Sequence, residues 1–308
     1  FAGAFERPLD DVISIDMNIL LITSDQQHHS TLGATNPKIQ TPALDRLARE
    51  GTLFGRAYCP NPTCTPTRAS IITGQYPSRH GAWSLGTMLS PQIQTLGDCL
   101  RPLGYRSTLV GKAHFQPLDS SDEQPSIESY PTLHDLDFWR DFNAKHTPWY
   151  GFDHVELTRN HGDESHVGQH YALWMEEKGL HNWRDYFCEV GQPNGYGAWN
   201  LPEEFHYSTW TGERTMAALE SAKRDETPFF IWASFHDPHP PYIVPEPYAS
   251  MYDESEMEPG TLEPGELEKM PPATRLTQSA QDKTAFSMWQ ETSWANHGLH
   301  PHAEHGEK

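Results

Sequence analysis

The segment that begins at Cys64 contains residue types that could perform nucleophilic chemistry on an anion. It reads Cys-Thr-Pro-Thr-Arg and continues into small and apolar residues that predict a helix starting near Pro66. A cysteine can serve as a nucleophile once it is activated, and the free N–H groups of a helix start favour a bound anion. Arg68, one turn further on, can fix a charged partner next to Cys64. The spacing therefore predicts a nucleophile beside an anion-binding helix start.

Polar side chains also follow three apolar runs that predict buried strands. These runs are residues 18–23, 107–110 and 227–235. The polar residues after them are Asp25 and Gln26, then Lys112 and His114, then His236 and His239. Because ligands bind beyond the carboxyl ends of parallel strands, we expect these side chains to meet at one rim. Oxygen atoms of Asp and Gln suit calcium or magnesium, and Lys and His supply cations and proton-transfer groups.

Helical patterns alternate with the predicted strands, which indicates an α/β fold with a mostly parallel sheet. The predicted helices are residues 41–51, 95–104 and 213–223. We expect the run 18–23 to be buried on both faces, as continuous apolar strands of parallel sheets are.

The remaining segments predict the organisation of the chain around this sheet. Residues 1–16 are acidic and aperiodic and are interpreted as an extension or tag, and 17–308 as the catalytic domain. Within it, 116–210 is rich in aromatic, proline and polar residues and predicts a loop-rich cover over the site. Residues 245–308 predict an irregular acidic and His-rich segment.

Charge and composition limit the classes of partner. The 308 residues include 42 acidic and 22 basic side chains, for a net charge of −20. This charge argues against nucleic acid or an anionic membrane as a partner, although a local cluster of cations can still bind an anionic substrate. No apolar stretch approaches the roughly 18 residues of a membrane span. Residues 1–16 lack the pattern of a signal peptide, and Met17 would be a natural start, so a cytoplasmic location is expected.

The four cysteines are at positions 59, 64, 99 and 188 and lack zinc-site spacing. Cys59 and Cys64 are close enough in sequence to suggest a bridge. A modified Cys64 must remain a thiol until it reacts, so the other three are interpreted as buried or incidental thiols.

Four segments of the chain resemble motifs of the sulfatase family and follow one another in the family's order. The first is the whole run from Cys64 to Gly81, CTPTRASIITGQYPSRHG. The others are NPKIQTPALDRLAREGTLF at 36–54, GKAH at 111–114 and PFFIWASFHDPHPPY at 228–242. The resemblance covers about residues 18–242. It implies an alkaline-phosphatase-like α/β/α sandwich and hydrolysis of a small or carbohydrate sulfate ester, as in a sulfuric ester hydrolase of the arylsulfatase type.

The resemblance implies a role for each matching residue. Cys64 would be oxidised by a maturase to formylglycine, and one hydroxyl of the aldehyde hydrate would attack sulfur. Arg68 would stabilise the hydrate, and Lys112 would bridge it to the sulfate. His114 would help to deprotonate the second hydroxyl, which expels sulfate. His239 would contact the sulfate and the leaving oxygen.

The same resemblance implies a divalent metal bound by Asp25, Gln26 and the modified Cys64. Calcium is expected first, with magnesium or manganese as alternatives. Many sulfatases have Asp-Asp where this chain has Asp25-Gln26. That pair resembles the branch that includes phosphonate monoester hydrolases, so a phosphonate or phosphate monoester hydrolase is the alternative function.

Nothing after Tyr242 resembles the strand, ending in Asp-Asn or Asp-His, that completes the family's metal site. The resemblance is therefore to the N-terminal portion only, with a sheet that is incomplete at the C-terminus. We expect the strand at 229–235 to be an open edge, and residues 1–308 alone to bind metal weakly and to be inactive and poorly soluble. A non-catalytic sulfatase-like chain is a further alternative.

Simpler interpretations compete for several of these residues. Cys64 could be a structural thiol, Asp25-Gln26 a turn after a strand, and Lys112 and His114 surface residues. His236 is expected to make a structural hydrogen bond. The histidines at 161, 166 and 170 are interpreted as loop residues, those at 297, 300, 302 and 305 as a solvated tail, and most Trp and Tyr residues at 139–210 as core.

Overall fold

A computed structural model describes residues 17–117, 120–122, 124–159, 167–187, 196–257 and 264–270. Its strands are β1 (Ile19–Thr23), β2 (Arg106–Gly111), β3 (His154–Leu157), β4 (Tyr196–Ala198), β5 (Phe229–Ser234) and β6 (Tyr242–Val244). Its α-helices are α1 (Pro42–Glu50), α2 (Cys64–Thr73), α3 (Pro77–His80), α4 (Leu96–Leu100), α5 (Leu136–Lys145), α6 (Gln169–Glu177), α7 (Tyr207–Arg224) and α8 (Glu266–Lys269). None of the helices in these ranges combines the length and the hydropathy that a membrane crossing needs.

The main sheet is parallel throughout and has the strand order β1-β5-β2-β3. The three strands predicted from apolar runs are therefore neighbours, and their carboxyl ends lie at the same rim. A separate parallel pair joins β4 to β6. Gly111 ends β2 with φ 102°, and a Cβ atom there would lie 2.0 Å from the carbonyl oxygen of Ser234. Only glycine fits this close approach of β2 to β5.

Helix α7 covers one face of the sheet. Successive residues of a strand point to opposite faces, and Thr108, Val110 and Ile231 lie on the side of α7. Together with Ala217 and Ala218 of α7 they line a small space between helix and sheet. The small alanine side chains allow the helix to approach the strands closely.

Helix α2 covers the opposite face. Leu109, Phe230 and Trp232 belong to one buried cluster with Ala69 and Ile72 of α2. Helices therefore lie on both faces of a parallel sheet, which makes the fold an α/β/α sandwich, as expected.

The sequence predicted an open sheet edge at β5, and the structure has none there. Strand β5 lies in the interior of the sheet, between β1 and β2, so the expectation of an edge at 229–235 was wrong. The edge strands of the described sheet are β1 and β3. The burial of β1 alternates: Leu20 is 42% exposed and Ile22 is 52% exposed. The expectation that β1 is buried on both faces was also wrong, because the described residues cover one of its faces.

Residues 116–210 contain regular elements as well as loops. They include helices α5 and α6 and the sheet strand β3. Aromatic side chains of this segment form core, as expected: Trp139, Trp183 and Trp210 are fully buried. Two predicted helix boundaries also differ, since α2 begins at Cys64 rather than near Pro66 and α7 begins six residues before 213.

Candidate active site

Asp25 is the centre of a buried group of charges at the carboxyl rim of the sheet. Its Oδ2 atom lies 2.6 Å from Lys112 Nζ and 3.2 Å from Arg68 Nη2. Its Oδ1 atom lies 4.0 Å from Cys64 Sγ. Three predicted residues from two separate motifs, Cys64, Arg68 and Lys112, thus lie around the carboxylate of Asp25.

Arg68 joins α2 to the strand ends. Its Nη1 donates to the carbonyl oxygen of Lys112 at 2.6 Å and to Ser234 Oγ at 2.7 Å. Only 6% of its side chain is exposed. Because the guanidinium contacts groups at the carboxyl ends of β1, β2 and β5 at once, it fixes where α2 begins and hence where Cys64 lies.

Backbone hydrogen bonds continue beyond the strands and position the polar residues. The N–H of Lys112 donates to the oxygen of Ser234 at 3.1 Å, and the N–H of Asp25 donates to the oxygen of Asp237 at 3.2 Å. Gln26 and His114 have φ values of 57° and 55°. Left-handed backbone at non-glycine residues is costly and is concentrated at functional sites, and both of these residues follow strand ends.

His239 lies beside the carboxylate and the thiol. One ring nitrogen of His239, Cys64 Sγ and a carboxylate oxygen of Asp25 all lie within 4.8 Å of one another. The ring Nδ1 is 2.7 Å from the carbonyl oxygen of Pro240. A carbonyl can only accept, so Nδ1 carries the hydrogen and the neutral ring has its lone pair on Nε2.

Asp25 and His239 have shifted pKa values. Burial alone would raise the pKa of Asp25, but the nearby charges of Lys112, Arg68 and His239 outweigh it and hold that pKa well below its usual range. Burial, with the charge of Lys112, lowers the pKa of His239 to about 4. At neutral pH the site therefore contains an ionised Asp25, two buried cations and a neutral His239.

The donor atoms fit part of a divalent-cation shell. Lys112 and Arg68 contact Oδ2 of Asp25, while Oδ1 faces Cys64. Gln26, the next residue, is exposed and has an amide oxygen to offer. Calcium takes about six to eight oxygen ligands, so these residues could supply some of them.

Two buried charged residues at the site were not predicted from the sequence. Arg159 follows β3 and its Nη2 lies 2.9 Å from Nε2 of His114. Glu128 accepts hydrogen bonds from the backbone N–H groups of residues 114, 115 and 116. The loop that supplies Glu128 has no apolar period, and β3 is short, so neither residue had a pattern that pointed to the rim.

A cavity of about 550 Å³ opens next to His239. Pro241, Tyr242, Ile243 and Pro245 are among its apolar lining residues, and Glu203, His206 and Asp237 are among its polar ones. No lysine or arginine is among the described residues that line it. The cavity offers space for an organic group attached to an anion at the rim.

The remaining predicted residues have structural positions or lie outside the description. His236 is buried and its Nε2 donates to the carbonyl oxygens of Thr158 and Arg159, as expected. His170 was expected in a loop, but it is buried in α6, and its Nδ1 accepts the N–H of Leu157 at 3.0 Å. Cys59 and Cys99 are exposed thiols, and Cys64 is also free. Residues outside the description include Cys188, His161, His166 and the histidines from 297 onward.

The architecture and the site together define an alkaline-phosphatase-like protein. A solved phosphonate monoester hydrolase from Silicibacter pomeroyi has the same fold, with a TM-score of 0.62 and 23% identity over 92% of this chain and 55% of that one. The sequence matches the Sulfatase family over residues 17–261, and the chain belongs to that family.

Curated relatives agree with this membership. An arylsulfatase of Clostridium perfringens is 30% identical over 78% of this chain and 47% of its own length. The multifunctional alkaline phosphatase superfamily protein PehA of Trinickia caryophylli is 30% identical over 78% of this chain and 45% of its own length. The chain spans about half the length of the curated relatives it matches.

Proposed function

We propose that this chain belongs to an enzyme that hydrolyses sulfate monoesters at the rim formed by Asp25, Cys64, Arg68, Lys112 and His239. One observation carries the proposal. A residue that could become a nucleophile lies at the first turn of α2 and faces a carboxylate that two buried cations contact. Such an arrangement suits attack on a centre with several anionic oxygens, because preorganised cations stabilise charge that develops there.

The proposed chemistry assigns Cys64 as the modified residue. Oxidised to formylglycine by a maturase, it would supply a hydrated aldehyde. One hydroxyl of the hydrate would attack sulfur and displace the alcohol, and loss of the proton from the second hydroxyl would then expel sulfate and restore the aldehyde. A divalent cation at Asp25 and Gln26, with calcium the first choice, would supply further positive charge against the sulfuryl oxygens. Arg68 and Lys112 are positioned to orient the hydroxyls and the sulfuryl group, since both contact the carboxylate that faces Cys64.

His239 can move the proton between the attacking and leaving oxygens. Its neutral ring has the lone pair on Nε2, because Nδ1–H donates to Pro240. It can therefore take the proton of the attacking hydroxyl and then donate it to the leaving alkoxide. The pKa of about 4 leaves the ring unprotonated at neutral pH.

The cavity beside His239 would receive the alcohol part of the ester. Its lining is largely apolar and includes the carboxylates of Glu203 and Asp237. Carboxylates repel a second sulfate group, so the cavity favours a small uncharged alcohol over a heavily sulfated saccharide. This supports an aryl ester or a singly sulfated sugar as the substrate.

Rates on matched esters test the proposal. The protein encoded by the full gene should be compared on 4-nitrophenyl sulfate, 4-nitrophenyl phosphate and a 4-nitrophenyl phosphonate, with Cys64→Ala as the control. We expect the highest kcat/KM on the sulfate and loss of that activity in the variant. A phosphonate preferred over the sulfate would favour the alternative hydrolase, which the Asp25-Gln26 pair also suits. Absence of Cys64-dependent turnover on all three would favour a non-catalytic chain.

Modification of Cys64 can be measured separately from activity. When residues 1–308 are made with a formylglycine-generating maturase, we expect an aldehyde at Cys64 and at none of Cys59, Cys99 and Cys188, which lack the Cys-x-Pro-x-Arg context. Peptide mass spectrometry with an aldehyde-reactive probe reads this directly. An unmodified Cys64 under these conditions would contradict the assignment of the nucleophile.

A further inference from the structure

The contact between Arg159 and His114 determines which ring nitrogen of His114 carries a hydrogen. Nη2 of Arg159 lies 2.9 Å from Nε2 of His114. A guanidinium has donors and no acceptor. Nε2 must therefore accept, and in the neutral ring the hydrogen is on Nδ1.

The ring is neutral for reasons that agree with this geometry. Both side chains are buried, with His114 1% exposed and Arg159 1% exposed. Burial first, and then the charges of Arg159 and Lys112, lower the pKa of His114 well below its usual range. A protonated ring would also need a hydrogen on the nitrogen that the guanidinium already occupies.

Glu128 fixes both members of this pair. Its carboxylate accepts the N–H groups of His114 at 2.7 Å, Phe115 at 2.9 Å and Gln116 at 3.1 Å. The same carboxylate lies 3.5 Å from Nη1 of Arg159, which also donates to the carbonyl oxygen of Glu128 at 3.2 Å. One buried side chain thus determines the backbone course of His114, at φ 55°, and the place of the guanidinium.

The backbone of Arg159 is fixed from a different side. It follows β3, and its carbonyl oxygen accepts from Nε2 of His236 at 3.2 Å. His236 in turn belongs to the segment after β5. The position of Arg159 relative to His114 therefore depends on three strand ends and not on a mobile surface chain.

We propose that Arg159 is a positioning residue that fixes His114 as the Nδ1–H tautomer. The other ring nitrogen, Nδ1, then carries the hydrogen. While Arg159 occupies Nε2, His114 presents an N–H and not a lone pair, so the proton-accepting role that the resemblance implies for His114 would require Arg159 to release Nε2. The assignment of the tautomer does not depend on the proposed function, whereas its consequence for hydrolysis does.

Nitrogen NMR of the ¹⁵N-histidine-labelled protein expressed from the full gene tests the proposal without any need for turnover. The ¹⁵N shifts of a neutral ring show which nitrogen is protonated, and the His114 signals are assigned by their loss in His114→Gln. His170 is an internal control with the opposite state, because its Nδ1 accepts the N–H of Leu157 and its hydrogen is on Nε2. We expect the Nδ1–H pattern for His114 and the Nε2–H pattern for His170. An Nε2–H pattern at His114 would overturn the proposal.

Two variants test whether Arg159 is the cause. Arg159→Met removes the donor, and we expect His114 to lose its Nδ1–H preference while the His170 signals, which report an intact β3, remain. Arg159→Lys keeps a donor and should restore the Nδ1–H pattern. An unchanged His114 pattern in Arg159→Met would show that Arg159 does not set the tautomer. If Arg159→Met does not fold, the wild-type spectrum and the Lys variant still decide.

The outcome is separable from that of the proposed function. A His114 ring with the Nδ1–H pattern in a protein that does not hydrolyse sulfate esters would contradict the proposed function and leave the role of Arg159 intact. Turnover of sulfate esters together with an Nε2–H ring would support the proposed function and contradict the role of Arg159.

Discussion

Replacing Cys64 by alanine should abolish sulfate ester hydrolysis by the protein expressed from the full gene, and Lys112→Ala and His239→Ala should each lower kcat by roughly 10²–10³. The first change removes the atom that becomes the nucleophile. Lys112→Ala removes a buried cation that contacts the carboxylate of Asp25. His239→Ala removes a proton acceptor close to Asp25 and Cys64. Steady-state rates on an aryl sulfate measure these losses.

Matched controls separate the site from general effects of substitution. Cys99→Ala removes an exposed thiol on α4, and Lys145→Ala removes an exposed lysine at the end of α5. Both should retain wild-type rates. Near-normal turnover by Lys112→Ala would show that the sulfate group binds elsewhere, even if Cys64 remains essential.

The convergence of the site could be predicted because parallel strands impose it. Asp25, Lys112 and His239 each follow an apolar run, and the carboxyl ends of parallel strands meet at one rim whatever the loops do. A sequence pattern cannot supply the distances to Oδ2 of Asp25, which are 2.6 Å from Lys112 Nζ and 3.2 Å from Arg68 Nη2. Arg68 could be placed near Cys64 from helix geometry alone, since four residues make about one turn.

The parts that could not be predicted depend on tertiary contacts. Glu128 lies in an aperiodic loop, and its burial arises only where that loop folds under residues 114–116. β3 is four residues long, and a run of that length has too few positions to show a strand period. The exposure of Leu20 and Ile22 was not predicted. Burial of the second face of a strand depends on which element packs against it, and an apolar run in the sequence does not identify that element.

Asp25→Asn should destabilise the protein expressed from the full gene by about 3–5 kcal/mol at neutral pH, the usual cost of removing one partner from a buried ion pair. The change keeps the shape of the side chain but leaves the charges of Lys112 and Arg68 without their carboxylate. The Lys112 side chain is fully buried, so water cannot replace the lost partner. Urea unfolding of the variant and the wild type measures the difference.

The difference should depend on pH with a defined sign. The folded-state pKa of Asp25 is lowered relative to an unfolded value of about 3.9. The carboxylate therefore contributes its stability above the unfolded pKa and loses it progressively as the pH falls through that value toward the folded pKa. We expect the gap between wild type and Asp25→Asn to be large at pH 7 and smaller at pH 3. Asp141→Asn, which removes an exposed partner of Lys145, should change stability little at either pH. If Asp25→Asn were as stable as the wild type at pH 7, Asp25 would not be the carboxylate that neutralises the two buried cations, and the nucleophile, cations and metal ligands would have to be arranged differently around Cys64.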